Sequence, residues 1–297
     1  MMKPLKVIDD LTISFRKLGI SSDNYETKIR KEIVSPFRHD LERFFDDIIF
    51  IPLDVIHSNI NIKQRDQRYL VTLEEGVYFP NYDYSLSLTR TATNKNDFSN
   101  GPYILCPRDG YPSLEYQAYS LAVDYKRNGE SKPIVICDDS VGKFGLTLKV
   151  VIELLRKFDL QVIQIYVLVN ANGMKSLLDV EIDSYLLNTY TINERDLYWG
   201  LPLSGISCIK DSQMLGVPTS IDIETIRNRI YPLPVDKLVD FRKCVLEFNI
   251  KFWTLIENYF NKQISFYDCS RLKGFPNFFG IPNERIINFL IRSILSN

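Results

Sequence analysis

Hydrophobic and polar positions change rhythm along the chain, and the change divides it into three parts. Between Tyr103 and Asn170, short runs rich in Ile and Val (Tyr103–Cys106, Ile134–Cys137, Val162–Val169) alternate with helix-period stretches over Ser113–Asn128 and Thr147–Phe158. Strands that are apolar throughout and alternate with helices predict a parallel sheet covered on both faces, joined by right-handed crossovers. Upstream the pattern is mixed. Asp23 is placed to cap a helix through Tyr25–Ile33, and Ser35-Pro36 starts another, on which Phe37, Leu41, Phe44, Phe45 and Ile48 form one apolar face. Tyr69–Leu73 and Tyr82–Leu88 predict strands, and Thr91–Gly101 reads as a polar linker. Downstream, Leu238, Phe241, Val245, Phe248, Phe252 and Leu255 recur at helical spacing within Val235–Tyr259. Glu284–Leu295 predicts a further helix, and Lys273–Pro282 carries loop chemistry in Gly274, Pro276, Gly280 and Pro282. The expected organisation is a mixed α/β N-terminal region (1–100), an α/β parallel-sheet core (101–215) and a mainly helical C-terminal region (216–297).

Composition supports a packed protein. Of 297 residues 45% are hydrophobic and 12% aromatic, which excludes a disordered chain. Acidic and basic side chains nearly cancel, 37 against 36, so no bulk charge points to nucleic acid. The cysteines (Cys106, Cys137, Cys208, Cys244, Cys269) are scattered, without the spacing of a zinc site or a redox dithiol. A reduced, cytoplasmic protein is expected. The stretch MMKPLKVIDDLTISF has acidic residues where a signal peptide is apolar, and no run approaches the ~18 apolar residues that span a bilayer.

The chemistry concentrates in PIVICDDSVGKFGLTLKVVIELLRKF. A buried strand ends in Asp138 and Asp139, followed by a loop with Gly142 and Gly145, then Thr147 and a helix. In an open parallel sheet, ligands bind beyond the carboxyl ends of the strands. Backbone N–H groups at a helix start, with the positive end of its dipole, attract an anion. Gly142 and Gly145 let the backbone approach a phosphate, and the Thr147 hydroxyl offers another donor. Asp138 and Asp139 suit hydroxyls or a magnesium ion beside that phosphate. A phosphate next to a diol is a sugar phosphate. A Walker A reading fails, because Phe144 follows Lys143 where Ser or Thr is required. A dinucleotide reading fails because two carboxylates precede the glycines. His39 and His57 lie before the core with no nucleophile nearby, so a catalytic triad is unsupported.

This segment resembles the phosphoribosyl-diphosphate motif of type I phosphoribosyltransferases: four apolar residues, two acidic ones, a short Gly/Thr loop and a helix. The resemblance implies that Asp138 and Asp139 hold ribose hydroxyls and magnesium. It implies that Val141, Gly142, Lys143, Phe144, Gly145, Leu146 and Thr147 cradle the 5′-phosphate, in a loop about one residue longer than the family's. YILCPRDGYPSLEYQAYSLA resembles the family's diphosphate loop, so Arg108, Asp109 and Gly110 would line the diphosphate, and Arg108 is a planar multi-donor cation suited to it. ERDLYWGLPLSGISCI resembles the part of the purine enzymes where an aromatic stacks on the base, which would be Tyr198 or Trp199.

The implied activity is a glycosyl (phosphoribosyl) transfer, or cleavage, at ribose C1, with Asp138, Asp139 and Arg108 carrying the chemistry. The implied ligand is phosphoribosyl diphosphate or a nucleotide-like small molecule. One family feature is missing: only Gly129–Lys132 separate the predicted helix from the next strand, where family enzymes carry a mobile lid. A second expectation follows: a non-catalytic nucleotide- or sugar-phosphate-sensing module acting on a protein partner through the C-terminal helices. A further resemblance, to phosphoribosyltransferase-like domains of bacterial conflict systems, would make such a protein an antiviral defence effector.

Overall fold

The structure is a computed structural model that describes residues 5–8, 15, 18–20, 23–46, 48–51, 67–73, 79, 81–92, 103–108, 110–141, 145–170, 173–187, 190–193, 206–210, 213–216, 233, 235–270, 277–278 and 283–295. Its strands are β1 (Leu5–Ile8), β2 (Ile48–Ile51), β3 (Tyr69–Thr72), β4 (Tyr84–Ser85), β5 (Leu88–Ala92), β6 (Tyr103–Pro107) and β7 (Ile134–Val141). They continue with β8 (Val162–Asn170), β9 (Ser176–Leu177), β10 (Val180–Leu187), β11 (Tyr190–Asn193), β12 (Ile206–Lys210), β13 (Gln213–Gly216) and β14 (Asn277–Phe278). The α-helices are α1 (Asp23–Ile29), α2 (Ser35–Leu41), α3 (Leu114–Asn128), α4 (Leu146–Arg156), α5 (Leu238–Phe260), α6 (Phe266–Ser270) and α7 (Ile286–Leu295).

The α/β class is observed. A six-stranded sheet runs β4-β3-β7-β8-β10-β9, and every junction in it is parallel except that between β9 and β10. Ile134 and Ile136 pack with Tyr69, Val71, Ile165 and Val167 in one cluster with the buried residues of α3 and α4. The alternate residues Val135 and Cys137 are buried as well, so the sheet is covered on both faces. In α4, Leu148, Val151, Ile152 and Leu155 fall at helical spacing on the buried side, each contributing roughly 1.5–3 kcal/mol.

One strand belongs elsewhere than expected. β6 is not part of the parallel sheet. It pairs antiparallel with β5, Thr91 opposite Ile104, in a five-stranded sheet of order β14-β13-β12-β5-β6. The apolar run at Tyr103–Cys106 signals a strand, but nothing in it encodes which neighbour it pairs with.

The N-terminal helices also differ from expectation. The two expected helices form one continuous path, α1 and α2 joined by a π-helical turn over Arg30–Val34. Pro36 has no N–H to give, and its ring crowds the carbonyl one turn back. The wider turn relieves this, with the Ser35 N–H donating to the Arg30 carbonyl. The helix stops at Leu41, so Phe44 and Phe45 are buried from the turn beyond it and Ile48 begins β2.

Phe37, Leu41, Phe44 and Phe45 share a single core with Phe241, Val245, Phe248 and Phe252 of α5 and with Ile286 and Leu290 of α7. The two ends of the chain therefore build one hydrophobic cluster. Glu257 of α5, nearly buried, ties it together: the Arg285 Nε donates to its Oε1 at 2.9 Å and the Ile264 N–H donates to the same oxygen at 2.9 Å.

Candidate functional site

The strand order sets the location. From β3 the chain moves to β4 on one side, whereas from β7 it moves to β8 and then β10 on the other. Winding reverses between β3 and β7, and in open parallel sheets the crevice at such a reversal, outside the carboxyl ends, is where ligands bind. The ladder of β7 with β3 ends at Thr72 opposite Cys137, while its ladder with β8 runs on through Asp138 opposite Val167 to Val141 opposite Asn170. The acidic pair therefore lies on the overhang of β7 past the end of its neighbour.

This refines the sequence reading of the pair. The strand does not stop at Asp138 and Asp139, and Val141 is still strand. Successive strand residues point to opposite faces, so the two carboxylates diverge. Asp138 is 7% exposed and its Oδ1 accepts the Asp139 backbone N–H at 2.9 Å. Asp139 is half-buried, and its Oδ1 accepts a hydrogen bond from the Ser140 hydroxyl at 3.1 Å. Among the described residues no group of three or more His, Cys, Asp and Glu side chains is placed to hold a metal ion. Magnesium takes one or two carboxylates together with a ligand's phosphates, so the diverging pair fits such an ion through one carboxylate at a time.

Helix α4 starts beside the overhang. Its N-cap is Gly145, at φ +58°, a left-handed conformation that suits glycine. A Cβ there would also stand 3.0 Å from Leu177. Among the described residues no side chain caps this helix, and its first turn holds no acidic residue. The contrast with α3 is direct: there the Ser113 Oγ accepts the Tyr116 N–H and Glu115 sits in the first turn. The first N–H groups of a helix have no intrahelical partner, and among the described residues α4 shows neither of the devices α3 uses. Leu146 and Thr147 are the first two residues of α4, one exposed and one half-buried.

Arg108 follows β6 and is brought to the same sheet edge by tertiary contacts. Its N–H donates to the Ser87 carbonyl at 3.1 Å and its Nε to the Leu88 carbonyl at 2.9 Å, and the residue is 7% exposed. Ser87 lies just past β4, whose neighbour Leu86 donates to the Thr72 carbonyl at the end of β3. Gly110, exposed at φ +76°, turns the chain beyond Arg108, and the Tyr111 N–H closes that turn on the Arg108 carbonyl. Asp109, Gly142, Lys143, Phe144, Tyr198 and Trp199 lie outside the described residues.

Two residues at this edge carried no signal in the sequence. Gln117 of α3 is 5% exposed; its Oε1 accepts the Ser87 N–H at 2.7 Å and its Nε2 donates to the carbonyls of Ser87 and Pro112. Asn170, fully buried at the end of β8, closes the following turn, donating to the Met174 carbonyl and accepting its N–H. Cys137, one residue before the acidic pair, is buried in surroundings that disfavour its thiolate. Burial first, and then the Asp138 carboxylate, push its thiol up to about 12, only partly offset by Arg68.

No protein-family model, curated protein or solved structure matches this chain. No described helix is long and apolar enough to cross a membrane.

Proposed function

We propose that the chain binds phosphoribosyl diphosphate, or a related ribose phosphate, at the carboxyl edge of its six-stranded sheet and acts at ribose C1. The observation that carries this reading is the start of α4, which no described side chain caps, with Gly145 in the left-handed conformation beside the overhanging acidic pair at the winding reversal. An anion site at a helix start next to carboxylates selects a phosphate that carries hydroxyls.

In this reading the N–H groups of Leu146 and Thr147 receive the 5′-phosphate. Asp139, the more accessible carboxylate, accepts from the ribose hydroxyls, and Asp138 holds its backbone. The Arg108 turn faces the diphosphate. Magnesium bound with the ligand would neutralise the leaving group and be held mainly by phosphate oxygens. The C1–O bond breaks with its electron pair departing on the diphosphate, an acceptor atom, or water in a cleavage, bonds to C1 in its place, and the proton it sheds passes to solvent or to the released diphosphate.

A second reading, a sensing module without turnover, is favoured by one observation. The connection from α3 to β7 is a tight turn, closed by the Lys132 N–H on the Gly129 carbonyl at 2.7 Å and by the Tyr125 hydroxyl on the Lys132 carbonyl at 2.7 Å. It leaves no hairpin there to shut water out.

Calorimetry with phosphoribosyl diphosphate and magnesium tests the shared pocket. Binding by the wild type that weakens in Asp139→Asn supports it, and no binding by the wild type rejects it. Diphosphate release on adding candidate bases separates transfer from sensing.

A further inference from the structure

Two of the three side-chain hydrogen bonds of Gln117 join it to Ser87, thirty positions away in the chain. Its side chain reaches from the first turns of α3 to both backbone groups of Ser87, just past β4, and to the Pro112 carbonyl. The Ser87 carbonyl thus accepts from two donors, Gln117 Nε2 and the Arg108 N–H. With its Nε on Leu88, Arg108 is held to the same short segment that Gln117 grips. A buried amide satisfied at both ends is a costly feature to keep for packing alone, because a partner left without its bond costs the full desolvation of that group.

We infer that Gln117 is a positioning residue, which fixes the Arg108–Tyr111 turn against the carboxyl edge of the sheet and so sets affinity for the diphosphate end of the ligand. The inference rests on the proposed sugar-phosphate site. It treats the site as two separate halves: the start of α4, which follows β7 in the chain, and the Arg108 turn, held by Gln117.

Two probes separate the halves, pyrophosphate with magnesium and ribose 5-phosphate, each titrated calorimetrically. Gln117→Met keeps the side-chain length in the core and removes all three bonds. The expected result is a loss of pyrophosphate affinity on the order of tenfold or more, with ribose 5-phosphate affinity held within about twofold. Gln117→Glu keeps the acceptor for the Ser87 N–H but sets a carboxylate oxygen against the Ser87 and Pro112 carbonyls, so it is expected to lose pyrophosphate affinity as well. If Gln117→Met does not fold, judged by thermal melting, the same split is read on Gln117→Glu. Equal losses for both probes, or no loss for either, overturn the inference while leaving the site reading intact. Wild-type binding of ribose 5-phosphate alone overturns the inference and keeps only the α4 half. Wild-type binding of neither probe removes the site reading, and this inference with it.

Discussion

The backbone N–H of Asp139 donates to the Oδ1 of Asp138 at 2.9 Å, so the first carboxylate of the pair serves the second. Where the ladder with β3 has stopped, a side chain supplies an acceptor to the overhanging strand. The two aspartates should therefore respond differently to substitution. Asp138→Asn keeps an acceptor and should melt close to wild type, whereas Asp138→Ala should lose roughly 1–2 kcal/mol in urea unfolding. Asp139→Asn should leave stability nearly unchanged and lower affinity for phosphoribosyl diphosphate by roughly tenfold or more, since a charge-assisted bond is lost. Equal effects of the two Asn variants on binding would show that the strand does not divide their roles.

Gly129 closes α3 directly against an aromatic pair. A Cβ at this position would stand 2.3 Å from the Tyr69 ring and 2.8 Å from the Tyr125 ring, which meet edge to face at 5.1 Å between centroids. Tyr69 is buried and its hydroxyl donates to Asp124, so its ring has little room to retreat. Gly129→Ala should cost roughly 1–3 kcal/mol by overpacking, seen as a lower urea midpoint at unchanged slope. Gly129→Ala with wild-type stability would mean the rings yield freely.

Cys137 should be silent to thiol reagents in the folded protein. Its thiol is buried and pushed up to about 12, so almost no thiolate exists at pH 8. Alkylation at that pH followed by peptide mass mapping should leave Cys137 unlabelled until denaturant is added. Rapid native labelling would place it in a crevice open to solvent.

Asp268 should make the C-terminal helical cluster acid-sensitive. Partial burial raises its carboxyl, but hydrogen bonds from the Lys262 ammonium and from the Ser265 N–H and hydroxyl outweigh that and hold it at about 2, below the ordinary 3.8. A depressed folded-state value contributes stability that is present above pH 4 and lost as pH falls towards 2. Lys262 is exposed, so solvent screening keeps the effect near 1 kcal/mol. The stability gap between wild type and Asp268→Asn, measured by urea unfolding, should be largest above pH 4 and close by pH 2.

Asp138, Asp139, Gly145 and the run of Ile and Val before them mark the strand and the helix that follows it, because period, charge and glycine are local properties. The spans of α3, α4 and α5 follow from apolar spacing for the same reason, to within a few residues. The pairing of β6 with β5 is another matter: an apolar run carries no address, and only the completed fold shows which edge it meets. Gln117 reads as one polar residue on an amphipathic helix until Ser87 and Pro112 are brought to it. The chain alone also gave no reason to seat Phe37 and Phe45 against Phe241 and Phe248, some two hundred positions away. Local pattern is enough for the α/β alternation, the acidic pair and the helix that begins after Gly145. Packing between distant segments sets where the strand overhangs, which carboxylate is the more accessible and what holds the Arg108 turn. Those depend on contacts between residues distant in the chain, and no local pattern encodes them.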